Sequence, residues 1–159
     1  MKDVRPTSVK VLQALFNILG DINSLEFLDL FAGTGRVGLE ALKRGAESCV
    51  FVESVRQRAD AIKKLSPDSL ILSLEVRRAV NMLVKRGMKF DIIFADPPYN
   101  SGWCGEILKI QNFEKLFNDE CVFVLEHSIR EKFEINDGNF ELISQREYGE
   151  TCLSFVKAI

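Results

Sequence analysis

Residues 25–38 read Leu-Glu-Phe-Leu-Asp-Leu-Phe-Ala-Gly-Thr-Gly-Arg-Val-Gly. A run with the apolar density of a buried strand enters a Gly-x-Gly-x-x-Gly turn on Gly33, Gly35 and Gly38, and a helical pattern follows. Glycines in such a turn let the backbone approach a ligand closely, and the N-terminus of the helix behind it favours anionic groups. Glu53 stands 20 residues after Gly33, at the end of the next apolar run, where a carboxylate can accept hydrogen bonds from ribose hydroxyls. The pattern predicts an adenosine-bearing cofactor over Phe31, Ala32, Gly33, Thr34, Gly35 and Glu53, and by itself leaves NAD and S-adenosylmethionine both open. Asp29 interrupts the strand four residues before Gly33. Burying a carboxylate there costs desolvation, so it needs a partner.

The rest of the chain repeats this rhythm. Val9, Leu12, Leu15, Phe16 and Leu19 recur at helical spacing after Pro6-Thr7-Ser8, and Gly20 ends that helix. Strands are predicted over 25–31, 49–53, 69–74, 90–95 and 121–126, and helices over 36–44, 55–65, 77–86 and 104–117. Strand and helix in alternation give a mostly parallel sheet with helices on both faces. The near-continuous apolar strands fit burial on both sides. The tail differs, because no helix separates residues 140–146 from 151–156, so these should pair as an antiparallel hairpin. The chain reads as one α/β domain over 1–159, with an N-terminal helix at about 7–19, a cofactor and catalytic core at about 25–126 and a hairpin at about 139–158.

Nothing in the composition argues for a membrane or a metal. No apolar run approaches the ~20 residues of a membrane helix. Met1 to Pro6 has no apolar segment behind its charges, so the expectation is cytoplasmic. Cys49, Cys104, Cys121 and Cys152 form no Cys-x-x-Cys pair, which excludes a metal knuckle and gives no disulfide framework. Cys104 opens a helix with no histidine beside it in sequence. The net charge is −2, unevenly spread: residues 1–105 hold 15 Lys/Arg against 12 Asp/Glu, and residues 106–159 hold 6 against 11. Arg77, Arg78, Lys85, Arg86 and Lys89 make a basic stretch without an acid, which could face phosphate or simply water.

The fourth strand ends in Asp96-Pro97-Pro98-Tyr99. Ligands of open α/β sheets bind beyond the carboxyl ends of the strands, so this loop and the glycine loop should share a crevice. Two prolines remove two N–H donors. The loop then presents acceptors, namely the Asp96 carboxylate and carbonyls such as that of Pro97, together with the flat face of Tyr99. Such a loop can hold the exocyclic amine of guanine, adenine or cytosine by its protons. Aimed at a sulfonium methyl group, that amine would react by in-line displacement, governed by proximity and orientation, with a carboxylate stabilising its developing positive charge. In that reading Asp29 serves the methionine end of the cofactor, around its ammonium group.

Together these residues resemble the RsmD family, the bacterial methyltransferases that modify guanine N2 in small-subunit ribosomal RNA. The resemblance spans nearly the whole chain: Arg5-Pro6-Thr7 with Ala14 to Leu19, Phe31 to Gly35 with Gly38 to Leu42, Phe51-Val52-Glu53, Asp96 to Tyr99, and Tyr148 to Thr151 before Leu153-Ser154-Phe155. It implies a Rossmann-like class I methyltransferase fold with seven strands, S-adenosylmethionine as cofactor, and ribosomal RNA in the small subunit as partner; the chain is expected to act as a monomer without metal. It implies catalytic roles for Asp96, Pro97 and Tyr99, and substrate contacts from Arg5, Thr7, Pro98, Tyr99 and Trp103. The chain departs from the family in three places. A Gly- and Lys-rich β-hairpin usually precedes Arg5-Pro6-Thr7, where this chain has Met1 to Val4. Leu12-Gln13 stands where the family has Arg-Glu. Arg78, followed by Ala79, stands where the family reads the cofactor's adenine with an Asp, and an Arg has no acceptor for the adenine amine.

Three other readings compete. A DNA adenine-N6 methyltransferase shares the Asp-Pro-Pro-Tyr chemistry, but the chain has no room for a DNA-reading domain. An NAD-dependent dehydrogenase would leave that loop unexplained. A non-catalytic RNA-binding or ribosome-assembly protein could retain the fold. Among lesser features, His127 reads as a strand-end polar residue and Phe113 as packing. Trp103 is either a pocket wall or packing, and Arg36 faces either RNA phosphate or water.

Overall fold

The computed structural model describes residues 7–135 and 138–159. In chain order the elements are α1 (Val9–Leu19), β1 (Glu26–Leu30), α2 (Arg36–Lys43), β2 (Ser48–Val52), α3 (Arg56–Leu65), β3 (Leu70–Leu72), α4 (Val76–Lys85), β4 (Phe90–Ala95), α5 (Trp103–Leu108), β5 (Phe117–Ser128), β6 (Phe140–Tyr148) and β7 (Thr151–Ala158). The strands form one sheet in the order β3-β2-β1-β4-β5-β7-β6. The pairs β1–β2, β1–β4, β2–β3 and β4–β5 are parallel, and β7 runs antiparallel to both β5 and β6. The strand order reverses between β1 and β4, which opens a crevice at their carboxyl ends.

Period-two alternation divides the strands between two cores. Leu28, Leu30, Val50, Val52, Ile93, Ala95, Phe123 and Leu125 pack on the face covered by α4 and α5. Phe27, Cys49, Phe51, Ile92, Phe94, Val124, Leu153 and Phe155 pack on the face that carries α1 and α2. Asp29 has the parity of Phe27 and therefore points toward α2, where the Gly38 N–H donates to its Oδ2 at 3.0 Å.

The expected seven-stranded, mostly parallel sheet with a C-terminal hairpin is what forms, although several boundaries move. The helix expected over 104–117 is α5 followed by a 3-10 turn, Phe113–Leu116: bonding tightens to i→i+3 at Lys109 and Ile110, and Asn112, left-handed at φ 67°, starts the second turn. β5 begins at Phe117, four residues before the expected start, and β3 ends at Leu72, two residues early. Among the described residues no helix is long and apolar enough to cross a membrane, and none form a group of three or more side chains that could hold a metal ion.

Candidate active site

One cavity of about 750 Å³ opens at the carboxyl ends of the central strands. Phe31, Ala32, Gly33 and Thr34 enter it from β1, Glu53 from β2, and Asp96, Pro97, Pro98 and Tyr99 from β4. Asp29 forms part of its inner wall, and Thr7 and Trp103 part of its rim.

The glycine loop is built by backbone geometry. Phe31, Gly33 and Gly35 all have positive φ (55°, 60° and 80°), and Gly35 is the N-cap of α2. A Cβ on Gly38 would lie 2.4 Å from Phe51 Cε1 and 2.6 Å from Cys49 Sγ, so the third glycine lets α2 lie against β2. Glu53 holds the loop in place. Its Oε1 accepts the Gly33 N–H at 2.8 Å and its Oε2 accepts the Val55 N–H at 2.8 Å. Arg58 stands 3.9 Å from the same carboxylate. Asp29 is 1% exposed. Burial pushes its carboxyl up to about 7; the Gly38 N–H offsets part of this, and the nearby charge of Glu53 adds to it.

The loop after β4 is pinned at two points. Ser101 Oγ donates to the Pro98 carbonyl at 2.6 Å, and the Tyr99 hydroxyl lies 3.2 Å from Thr151 Oγ1. Trp103 sits edge-on to Phe31 with ring centroids 5.3 Å apart. The Arg77 guanidinium covers the Trp103 ring at 4.5 Å, so Trp103 is a cavity wall and Arg77 is partly committed to it. Arg36 donates to the Thr7 carbonyl at 2.8 Å, and Thr7 Oγ1 donates to Glu126 Oε1 at 3.3 Å. Burial pushes the Glu126 carboxyl up to about 7, while the bond from Thr7 pulls it down.

The structure relocates some of the expected site residues. Arg78 is exposed on α4 and Ala79 is fully buried in the core, so neither lines the cavity. Glu75, the N-cap of α4, and Val76 stand there instead. Glu75 lies three residues before Arg78 and brings a carboxylate to the cavity wall. Gly35 shapes the turn from below, packed on Ile62, without lining the cavity. Arg5 lies outside the described residues. Glu126 and Thr151 line the cavity without having been singled out in the sequence. The signal available for Glu126 was an acid at the carboxyl end of an apolar strand.

Two reactive side chains are structural. Burial pushes the Cys104 thiol well up, so it is not a ready thiolate. His127 is buried, with Nδ1 2.8 Å from the Ser128 carbonyl and Nε2 2.7 Å from Ser154 Oγ. A carbonyl can only accept, so Nδ1 carries the proton and Nε2 accepts from the serine. Burial also lowers the pKa of this imidazole, and it does not reach the cavity.

The family described as Conserved hypothetical protein 95 matches residues 1–157. The chain belongs to this family. Its relatives bear out the resemblance to the RsmD methyltransferases. The protein called putative rRNA methyltransferase YlbH, from Bacillus subtilis, is 29% identical over 96% of this chain and 87% of its own length. Ribosomal RNA small subunit methyltransferase D of Escherichia coli K12 is 29% identical over 94% of this chain and 77% of its own. The fold is equally close to a solved structure titled putative methyltransferase yhhF from Escherichia coli. That structure has a TM-score of 0.82 at 24% identity, covering 98% of this chain and 88% of that one. The fold is therefore that of the class I methyltransferases.

Proposed function

We propose that this protein transfers a methyl group from S-adenosylmethionine to the exocyclic N2 amine of a guanine in small-subunit ribosomal RNA. One observation carries the reading: the glycine loop with its buried Glu53 and the acceptor-rich loop Asp96-Pro97-Pro98-Tyr99 line the same cavity. The names of the family relatives support ribosomal RNA as the substrate, and the loop chemistry supports an amine as the acceptor.

The cofactor is S-adenosylmethionine, which supplies an electrophilic methyl group on a sulfonium. The residues present suit it. Glu53 is anchored through one lone pair on each oxygen and keeps acceptor capacity for ribose hydroxyls. Glu75 and Val76 stand where an adenine edge would be read, and Phe31 and Trp103 give the apolar wall beside it. Asp29 provides the acid for the ammonium group.

Asp96 and the Pro97 carbonyl take the protons of the target amine and aim its lone pair at the methyl group. Tyr99 offers its face to the base. With the cofactor bound, formation of the nitrogen–methyl bond would break the carbon–sulfur bond of the sulfonium and leave neutral S-adenosylhomocysteine, and the Asp96 carboxylate would stabilise the positive charge that the nitrogen gains. Preorganised groups of this kind contribute on the order of 10²–10³ in rate. Proton loss follows easily, because the methylated ammonium is acidic. Pro98, with Arg5 earlier in the sequence, meets the RNA, while Thr7 acts through the bond that it gives Glu126.

The test is methyl transfer from labelled S-adenosylmethionine to small ribosomal subunits from cells lacking this gene. Naked ribosomal RNA and duplex DNA run alongside, and the products are digested to nucleosides for mass analysis. Label in N2-methylguanosine, abolished by Asp96→Ala, is the expected result. Label in N6-methyladenine from DNA would move the substrate class, and no label from a folded protein would mean a fold kept without catalysis.

A further inference from the structure

We infer that Glu126 reads the Watson–Crick edge of the target base and selects guanine; this rests on the proposed function. β4 and β5 pair in register as Ile93↔Phe123, Phe94↔Val124 and Ala95↔Leu125. Asp96 and Glu126 each stand one residue past the last of these pairs, so the two acids leave neighbouring strands at the same level. They share one face of the sheet with Phe94 and Val124, and both line the cavity. A base whose amine is held by Asp96 can then turn its adjoining ring edge toward Glu126.

Glu126 is 5% exposed, a costly place for a carboxylate. The described contact that orients it comes from Thr7, whose own carbonyl is held by Arg36 at the start of α2. That contact uses one lone pair of about four on an ionised carboxylate. The acid is fixed in direction, and acceptor capacity remains toward the cavity.

The chemistry of the bases makes the choice. Guanine presents donors side by side, its N1–H and its N2 amine. Adenine and cytosine place a bare ring nitrogen, an acceptor, beside the amine. Ionised, the carboxylate is acceptor-only: it pairs with the guanine N1–H, which favours that form, and faces lone pair to lone pair against the other two, so the bases are compared at a pH well above the value to which burial raises the acid. A site built on a buried hydrogen bond rejects the analogue lacking the partner far more strongly than an apolar pocket rejects a methylene.

Glu126→Gln keeps the shape and replaces one acceptor by a donor. The experiment uses the wild type and this variant on ribosomal RNA with either guanine or 2-aminopurine at the methylated nucleotide. 2-Aminopurine retains the C2 amine but has an acceptor at N1. The wild type is expected to methylate guanine and to work poorly on 2-aminopurine. The variant should lose about a hundredfold in kcat/KM on guanine and shift its preference at least tenfold toward 2-aminopurine, with cofactor affinity unchanged and a melting temperature no lower than that of the wild type. A wild type that methylates both bases equally overturns the inference without reference to the variant, so a misfolded variant does not protect it. A folded variant with wild-type preference also overturns it, and leaves the guanine-N2 reading standing. Absence of N2-methylguanosine from the wild type removes the reading and the inference together.

Discussion

The Tyr99 hydroxyl lies 3.2 Å from Thr151 Oγ1 and so joins the loop after β4 to the first residue of β7. Residues 52 positions apart in sequence are thereby held across the mouth of the cavity. The hairpin thus braces the loop whose geometry the chemistry needs.

Tyr99→Phe keeps the aromatic face and removes this bond. A neutral hydrogen bond contributes about 1 kcal/mol, so methyl transfer should fall about five- to tenfold, mostly in kcat. Thr151→Val should match it, and the double variant should be no worse than either single one. Tyr99→Ala should fall further and raise KM for RNA, since a stacked base is worth about 1–3 kcal/mol. Additive single variants would mean that the two hydroxyls act separately.

Gly38 is required by packing. A Cβ there would come within 2.4 Å of Phe51 and 2.6 Å of Cys49, both buried in the core under α2. Overpacking of this kind costs about 1–3 kcal/mol. Gly38→Ala should lower the free energy of unfolding by that amount, read as a lower urea midpoint at unchanged m. Gly87→Ala, at a glycine with open space around it (φ 68°), would cost only backbone strain, and serves as the comparison.

Much of this was legible in the sequence because it depends on local rules. The glycine loop, the acid at the end of β2 and the Pro-Pro loop are each set by a few adjacent residues. Strand–helix alternation then brings them to one end of the sheet. What was not legible depends on register and on long-range contact. The resemblance matches the family's adenine-reading Asp to Arg78, whereas the cavity wall is formed three residues earlier by Glu75, a placement that depends on where α4 begins. Glu126 acquires meaning only from the alignment of β5 with β4, and Thr151 only from the return of the hairpin to the sheet.

Glu53 serves the loop and the cofactor together. Each of its oxygens accepts a backbone N–H, and a glutamine has only one oxygen to offer. Glu53→Gln therefore leaves the Gly33 or the Val55 N–H facing an amide NH₂. Leaving a buried donor unsatisfied costs about 1–3 kcal/mol. The melting temperature should drop, and cofactor affinity measured by calorimetry should fall by tenfold or more. A variant that binds the cofactor as the wild type does would remove Glu53 from the site.

Asp29 sets stability against function. Its carboxyl is raised from 3.8 to about 7 in the folded chain by burial, with Glu53 adding to the effect and the Gly38 N–H opposing it. The folded state therefore holds this proton more tightly than the unfolded state does. Below about pH 4 the group makes no difference, and as pH rises toward 7 it progressively destabilises the ligand-free protein, by a few kcal/mol in all. Glu126 contributes with the same sign. His127, whose pKa is lowered by burial, has the opposite sign and costs stability as pH falls below its ordinary value. Asp29→Asn isolates one group from the three. Its amide oxygen can still accept the Gly38 N–H, so the variant should match the wild type near pH 4 and exceed it in urea midpoint at pH 8. A difference between the two proteins that does not change with pH would show that Asp29 titrates normally. The same substitution removes the acid proposed to face the ammonium group of the cofactor. The more stable protein should therefore bind S-adenosylmethionine more weakly, the exchange expected where a buried charge is kept for a ligand and not for the fold.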